Sequence, residues 1–203
     1  MEKNKVTRVK FAPLTLRANY SDGEDYGLLT WATRNGYPRI TVFTENKHKS
    51  ENFDYNKMIT APFDYVTLNM FLSIFEKVID ADPDTKYQVE CKGSKFVNRE
   101  RTDEVIVQAT VTVGKDKDGV IYMAATEDGK RKVKFDLILG KWHTIMINGD
   151  HVTDKAMLSK IYATGYLKAA KKLLGQQLIN DTLKVDTAST TSSSGGEDLT
   201  GLL

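Results

Sequence analysis

The sequence lacks the features of secreted, disulfide-bonded and membrane proteins. Cys91 is the only cysteine among 203 residues, which excludes an internal disulfide and any zinc site built from several cysteines. No apolar run approaches the roughly 18 residues that a membrane-spanning helix needs. The first residues, MEKNKVTRVKF, carry positive charge without an apolar stretch, unlike a secretory signal. We therefore expect a soluble cytoplasmic protein that has no membrane partner and works in the host cytoplasm if it is viral.

Catalytic and metal-binding motifs are also missing. None of the three histidines, His48, His143 and His151, has a histidine or cysteine three or four residues later, as a metal site would. There is no phosphate-binding loop ending in Gly-Lys-Ser/Thr and no Gly-x-Ser-x-Gly elbow. The segment GKDKDG, residues 114–119, lacks the later glutamate of a calcium loop. These absences predict a protein without catalytic residues, metal or cofactor, and they disfavour a nucleotide-processing enzyme.

Two similar turns predict two antiparallel hairpins. Asn35-Gly36 and Asp128-Gly129 each separate β-branched or aromatic segments, and both dipeptides accept the positive φ of a tight hairpin. Each follows Ala-Thr-x, and the two glycines lie 93 positions apart. Duplication of one unit accounts for this offset; coincidence is the alternative, because such hairpins are common.

Apolar residues at helical spacing predict one helix after each hairpin. Residues 45–60 are polar and predict a loop, after which Thr60 would cap the first helix and Pro62 would lie in its first turn. The second helix is expected to begin at Thr153 and to end near Leu178. The predicted buried faces consist of Phe63, Val66, Met70, Phe71, Ile74, Phe75 and Val78 in the first helix, and of Met157, Leu158, Ile161, Ala169, Leu173 and Leu174 in the second.

These elements predict an α+β fold in which antiparallel sheets pack with two helices. Residues 1–180 would form one globular domain with two pseudo-repeats, about 1–82 and 83–180, each running from strands to a helix. Residues 181–203 are predicted to be a flexible tail, because TASTTSSSGG cannot bury enough apolar surface to offset its ordering entropy.

Charge is divided unevenly between body and tail. Residues 1–180 carry 28 bases against 23 acids, a net charge of +5, whereas residues 181–203 carry four acids and one base. The tail ends in EDLTGLL, which is either a frayed terminus or a peptide that docks on a partner. In the second case the partner-binding residues are Glu197, Asp198, Leu199, Leu202 and Leu203.

Cations and aromatic residues alternate along the predicted strands. Such a surface suits single-stranded nucleic acid, because its phosphates need distributed positive charge and each unstacked base gains roughly 1–3 kcal/mol on an aromatic ring. The alternative is structural: outward charges solvate a sheet and deter edge aggregation, and Trp31 and Trp142 belong to the core. The predicted nucleic-acid-binding residues are Arg8, Lys10, Trp31, Arg34, Tyr37, Arg39, Tyr122, Lys130, Arg131, Lys132, Lys134 and Lys141.

The outline of the chain resembles a known class of proteins. A strand-rich unit closed by a helix, present twice, is similar to the Whirly and transcription-cofactor type of single-stranded-DNA-binding fold. The Ser/Gly linker with an acidic, hydrophobic tip is similar to the tails with which phage and bacterial single-stranded-DNA-binding proteins recruit other proteins. Size, order and tail together resemble the Drc-like proteins of podoviruses. The Lys-Gly-Lys-Ala signature of plant Whirly proteins is absent, and KDKDG and DGKRK are poor substitutes for it.

This resemblance implies a bacteriophage protein that binds single-stranded DNA with little sequence preference and forms a homo-oligomer. It also implies a role in phage transcription or DNA replication, in which the tail recruits RNA polymerase or replication proteins. The alternative is a structural or assembly protein, such as a virion component, whose outer sheet face would be apolar rather than cationic.

Overall fold

Two antiparallel sheets, each followed in the chain by a helix, make up the fold. The computed structural model describes residues 8–10, 12–20, 25–34, 37–47, 55–98 and 100–190. Within these residues the architecture is α+β, as predicted, with two helices, two large sheets and a small third sheet. The order of elements, strands then helix and strands then helix, is the predicted one.

The first sheet has five strands, and two of them share one edge of the same neighbour. Its order is β1-β3-β4-β5, and β2 pairs with β3 beside β1, opposite a different part of that strand. All its pairings are antiparallel. The strands are β1 (Arg8–Lys10), β2 (Leu16–Asn19), β3 (Asp25–Arg34), β4 (Tyr37–Lys47) and β5 (Met58–Pro62).

The second sheet is a four-stranded antiparallel meander in the order β6-β7-β8-β9. Its first two strands are much longer than the others, so their hairpin extends beyond the sheet. A two-stranded sheet follows it in the chain. The strands are β6 (Thr85–Val97), β7 (Glu100–Lys115), β8 (Ile121–Thr126), β9 (Val133–Asp136), β10 (Met146–Ile147) and β11 (Asp150–His151).

Both predicted hairpins are confirmed by strand register. Arg34 pairs with Tyr37 across the first turn, whose residues 35 and 36 lie outside the described residues. In the second hairpin Gly129 has a φ of 72°, the left-handed conformation that favours glycine. The strand after it starts only at Val133, because Lys130 still belongs to the turn and donates its backbone N–H to the carbonyl of Glu127 at 3.2 Å.

The first helix, α1, begins later than predicted. It spans Tyr65–Asp80, and Asp64 caps it by accepting a hydrogen bond from the backbone N–H of Thr67 at 2.7 Å. The predicted start at Thr60 is wrong, because residues 58–62, which begin in the predicted loop and continue past it, pair with β4 as a strand. The predicted buried face is confirmed at Phe71, Phe75 and Val78, but it is wrong at Val66 and Met70, which are 80% and 45% exposed. The buried residues are Leu68, Phe71, Leu72, Phe75, Val78 and Ile79.

The second helix, α2, spans Lys155–Thr190 and is longer than predicted. Asp154, rather than Thr153, caps it, since its carboxylate accepts hydrogen bonds from the backbone N–H groups of Ala156 and Met157. The helix passes the predicted end at Leu178 because no glycine or proline interrupts residues 176–190, and each added residue contributes one hydrogen bond. The backbone of residues 181–190, predicted to be tail, is therefore helical. Residues 191–203, with the five predicted partner-binding residues, lie outside the described residues.

Both sheets and both helices contribute to one continuous hydrophobic core. Trp31 lies at its centre and donates its indole N–H to the Tyr166 hydroxyl at 2.9 Å. Tyr166 in turn donates to the carbonyl of Leu14 at 2.8 Å, so α2 is tied to the start of the chain. Burial raises the pKa of Tyr166, which keeps its hydroxyl protonated as a donor. The two sheet-and-helix units therefore share one interior.

Candidate nucleic-acid interface

Five of the predicted nucleic-acid-binding residues lie on the outer face of the first sheet. Residues directly opposite each other on neighbouring strands project to the same face. One row across the sheet contains Arg8, Arg34 and Tyr37, and the next contains Lys10 and Arg39 together with an alanine and a proline. We call these two rows the cationic face; by register they contain Arg8, Lys10, Arg34, Tyr37 and Arg39.

The cationic face carries positive charge without carboxylates in its rows. The third row consists of Thr30, Thr41 and Thr60, which are short and neutral. The acidic residue of β4 on this side, Glu45, lies toward the opposite end of the strand and forms an ion pair with Lys57. Among the described residues these two rows contain cations and no carboxylate at their register positions, so the positive potentials of neighbouring cations add.

Exposure on this surface is concentrated at the hairpin end, since Ala32, Thr30 and Thr41 in its rows are buried. Arg34 is exposed, and the ring of Tyr37, directly opposite it in the register, is 58% exposed. Arg39 is half-buried. A guanidinium beside an exposed ring is an arrangement that neutralises a phosphate and stacks a base.

Sequence reasoning missed Arg17, which lies further along the same face. Arg17 is opposite Leu28 in β3, and its guanidinium lies 3.8 Å from the centre of the Tyr26 ring. Arg131, a predicted residue, stacks in the same way on Tyr20 at 3.5 Å. A stacked guanidinium is held in place with its polar edge outward, so it is preorganised for anions. The signal in the sequence, an arginine near tyrosines in LRANYSDGEDY, gives no information about which ring it meets.

The outer face of the second sheet has cations as well, but they are paired with carboxylates. Lys134 lies 2.6 Å from Asp116 and 3.0 Å from Asp136. Lys130 lies 2.7 Å from Glu127 and also donates to the carbonyl of Met58 at 2.6 Å. We call this surface the paired face; it consists of the outward residues of the second sheet, among them Lys86, Gln88, Glu90, Thr110, Thr112, Tyr122, Ala124, Lys134 and Asp136.

The charges on the paired face stabilise each other. Burial opposes the charge on Lys134, but its hydrogen bonds to Asp116 and Asp136 outweigh this effect, so the pKa of Lys134 lies above its ordinary value. Burial likewise opposes ionisation of Asp116, but hydrogen bonds from Lys134 and from the backbone N–H groups of Val120 and Asp118 keep its pKa below the usual range. Lys134 is therefore charged, but Asp116 and Asp136 neutralise its charge.

The ring of Tyr122 packs against the sheet and is less exposed than a ring that stacks bases would be. It is half-buried and lies flat on Gly114, where an added Cβ would come within 2.8 Å of its ring. The ammonium of Lys134 lies 4.8 Å from the centre of the ring. Tyr122 is thus less available to a base than Tyr37 is.

The structure removes Trp31 from the predicted interface. Its side chain is fully buried, its indole N–H is already bonded to Tyr166, and Phe63 and Phe71 lie about 6 Å away from its ring centre, at 6.2 and 6.1 Å. The prediction that Trp31 binds nucleic acid is therefore wrong. An alternating strand carries apolar residues on its inner side, and Trp31 is on the side of Leu29 rather than on that of Arg34.

The other tryptophan, Trp142, has the opposite environment. It is 82% exposed, and the ammonium of Lys141, a predicted residue, lies 4.8 Å from the centre of its ring. Met146 and Ile147 in the adjacent short hairpin are also exposed. The ring of Trp142 is available for stacking. The sequence KWHT places Lys141 next to Trp142, but it does not indicate whether the ring of Trp142 is buried.

Of the remaining predicted residues, Lys132 is exposed next to the second hairpin.

Comparisons of this chain with protein-family models, with curated proteins and with solved structures found no match. In the described part of the chain, neither helix is long and apolar enough to cross a membrane.

Proposed function

We propose that this protein binds single-stranded DNA with little sequence preference, and that the cationic face provides the binding surface. The observation that carries the proposal is the exposed Arg34 directly opposite the exposed Tyr37, with Arg39 in the next row and no carboxylate at the register positions of either row. Charge neutralisation and ring stacking do not read base edges, so the binding tolerates different sequences.

The shape of the cationic face favours a single strand over a duplex. Arg34 and Tyr37 are exposed at the hairpin end, where a flexible single strand would place a phosphate beside Arg34 and stack a base on Tyr37, whereas Ala32, Thr30 and Thr41 further along the sheet are buried. A duplex would need an element that enters a groove, as a helix or a two-stranded ribbon does. Trp142 and Lys141 provide a second stacking position for a longer strand.

The tail gives the proposal its second half. We propose that residues 191–203 recruit a protein of transcription or replication, such as RNA polymerase, while the sheet holds DNA. The order of two sheet-and-helix units supports this proposal, since it is the order that a Whirly or Drc-like resemblance implies. The acidic end of the tail competes with DNA for the cationic face in the free protein. Deleting residues 191–203 is therefore expected to keep or raise DNA affinity, and loss of DNA binding by the truncated chain would contradict this role.

Fluorescence anisotropy tests the binding itself. A labelled oligothymidine and a labelled duplex are titrated with the full chain at 50 mM and 200 mM salt. We expect binding of the single strand at micromolar or lower protein concentration, weakening several-fold at the higher salt, and much weaker binding of the duplex. Equal affinity for both, or no dependence on salt, sinks the proposal.

A second function is favoured by one specific observation. Part of the second sheet extends from the core with exposed valine and isoleucine side chains, which is typical of a self-assembling structural protein, such as a virion component. This function predicts large assemblies in light scattering and no binding of oligothymidine. The two functions are separated by the same titration.

A further inference from the structure

A groove of about 300 Å³ lies between α1 and α2. Its floor is formed by Leu68 and Leu72 of α1 and by Leu174 of α2, all of them almost fully buried. On the α1 side the side chains of Asn69 and Ser73 each donate a hydrogen bond to the backbone carbonyl four residues earlier, both at 2.9 Å. These polar groups are therefore engaged with their own helix, and the floor between the helices is apolar.

The groove is closed at one end and open at the other. At the closed end Lys171 of α2 lies 2.9 Å from Glu76 of α1. The two helices run antiparallel, so the other end lies toward the start of α1 and beyond Gly175 of α2. Further in that direction Val66 and Ile179 are 80% and 56% exposed. An apolar segment can therefore enter the groove from this open end.

The tail is long enough to reach the groove of its own molecule. Gly175 lies 15 residues before Thr190, the last residue of α2, which corresponds to about 22 Å of helix at a rise of 1.5 Å per residue. From Thr190 an extended chain covers roughly 3.3 Å per residue, or about 30 Å by Leu199. The leucines of the tail therefore reach the groove with a few residues left for the reversal of the chain.

Charge beside the groove is complementary to the tail. Lys168 and Lys172 of α2 are exposed, and at 3.6 residues per turn they lie about 20° and 60° round the helix from Gly175 on the groove wall. In the described part of the chain neither lysine forms an ion pair with a carboxylate. Glu197 and Asp198 directly precede the leucines of the tail, so they meet Lys172 when the leucines enter the groove.

We propose that residues 197–203 dock in this groove of their own chain, with Leu199, Leu202 and Leu203 against the leucines of the floor and the two acids beside Lys172. A docked segment hides its leucines from a partner protein, so recruitment requires that the segment is released. This consequence rests on the function proposed above, whereas the docking itself does not.

The docked position also agrees with competition between the tail and DNA. The open end of the groove lies at the start of α1. Phe63, two residues before α1, donates its backbone N–H to the carbonyl of Pro38 at 2.9 Å, next to Tyr37. The docked acids are therefore held at the end of the molecule that carries the exposed part of the cationic face.

Disulfide crosslinking of the full chain tests the docking. In a Cys91→Ser background, Thr200→Cys is combined with Asn69→Cys on the groove wall, which leaves the leucines of the tail intact. Mild oxidation is expected to form a disulfide within one chain, seen as a faster-migrating monomer on a non-reducing gel. The matched control replaces Asn69→Cys by Met70→Cys, because Met70 is the next residue and is exposed but lies about 100° round α1, away from the groove. Equal crosslinking of both pairs, a covalent dimer, or no crosslink overturns the proposal.

Filling the groove tests which surface holds the leucines. A Cβ added at Gly175 would have no atom within 4 Å, so Gly175→Leu places a side chain in the groove without a clash. It should reduce the crosslinking of Thr200→Cys with Asn69→Cys about tenfold, the equivalent of one lost leucine contact. Gly175→Ala leaves most of the space and should change crosslinking less than about twofold.

Neutralising the lysines tests the charge. Lys168→Gln with Lys172→Gln should reduce crosslinking about threefold at 50 mM salt, and less at 200 mM salt. Crosslinking that Gly175→Leu leaves unchanged, with an unaltered far-UV circular dichroism spectrum, or that rises when both lysines are neutralised, refutes the docking. Neither DNA nor a partner is present, so failure of the docking is distinct from failure of the proposed DNA binding.

Discussion

The outer faces of the two large sheets carry similar numbers of basic residues but differ in how those residues are neutralised. On the cationic face, Arg8, Lys10, Arg34 and Arg39 share two rows with neutral residues. On the paired face, Lys134 lies between two aspartates that are both within 3.0 Å of its ammonium. A cation that is not held by a carboxylate, as Lys134 is, can pair with a phosphate without first giving up that partner.

The difference shows that register, rather than composition, determines which cations of a sheet lie beside carboxylates. Lys134 and Asp136 are two residues apart on one strand, so they project to the same face and meet. The cations of β1 and of β3 come from segments more than 20 residues apart, and only antiparallel pairing places Arg8 next to Arg34. Two sequences with equal basic content can therefore produce opposite surfaces.

Neutralising the cationic face is expected to have the largest effect. The triple variant Arg8→Gln, Lys10→Gln, Arg34→Gln should lower affinity for oligothymidine about 100-fold near 0.1 M salt. The estimate follows from a salt slope of about 0.7 per phosphate contact on a single strand, or roughly fivefold for each contact. The slope of log K against log salt should fall by about 2, measured by anisotropy.

The matched control removes the same charge from the other sheet. The variant Lys86→Gln, Lys92→Gln, Lys134→Gln should change affinity by less than about threefold, because Lys92 and Lys134 already have carboxylate partners. If this control loses as much affinity as the first triple variant does, the two faces do not differ in binding and net charge alone is responsible.

Removing an exposed ring is expected to have the next largest effect. Tyr37→Ala should weaken binding of oligothymidine about tenfold, within the roughly 1–3 kcal/mol that a stacked base contributes. Tyr122→Ala is the comparison on the paired face, where the ring already lies between Gly114 and Lys134. A loss from Tyr122→Ala that equals the loss from Tyr37→Ala would show that the second sheet also stacks bases.

The sequence predicted the class of fold and both hairpins because these depend on local signals. Asn35-Gly36 and Asp128-Gly129 specify their turns regardless of the rest of the chain. Strand β5 was missed because ITAP is short and lies in a polar segment, and only its pairing with β4 makes it a strand. That strand displaced the start of α1, but the predicted buried face stayed correct at Phe71, Phe75 and Val78, because the helical period does not depend on where the helix begins.

The candidate site was predicted in part for a similar reason. The alternation of inward and outward side chains along a strand correctly placed Arg34, Tyr37 and Arg39 on the outer side. It did not predict that Trp31 is buried and that Trp142 is exposed. Trp31 is on an inner position of β3, and Trp142 lies outside any strand, where no period specifies its exposure. The neutralisation of Lys134 by Asp116 needs a contact over 18 residues, which no local pattern contains.

Releasing a cation on the paired face should produce a smaller effect of opposite sign. Asp136→Asn removes one of the two carboxylates that hold Lys134, and it is expected to raise affinity for oligothymidine about two- to threefold at 50 mM salt. The gain should disappear at 200 mM salt because screening weakens exposed charges. Glu100→Gln provides the control for a general change in net charge. Glu100 is exposed at the end of the β6-β7 hairpin, and the substitution removes one negative charge away from Lys134.

The smallest effect concerns the free energy of unfolding and its dependence on pH. The lowered pKa of Asp116 means that its ionised form stabilises the fold at pH values above its ordinary range near 3.8, and that this contribution is lost as pH falls through the folded-state pKa. Asp116→Asn should therefore lower stability at pH 7 by less than about 1 kcal/mol, as a partly exposed ion pair does, and the difference should narrow at pH 3. Urea unfolding at both pH values measures it, with Asp118→Asn in the same turn as the control. If the difference in unfolding free energy between Asp116→Asn and the unsubstituted chain is the same at pH 3 as at pH 7, the charge of Asp116 does not contribute to stability. Asp116 would then act through its hydrogen bonds with the turn, and Asp136 would be the ion-pair partner of Lys134.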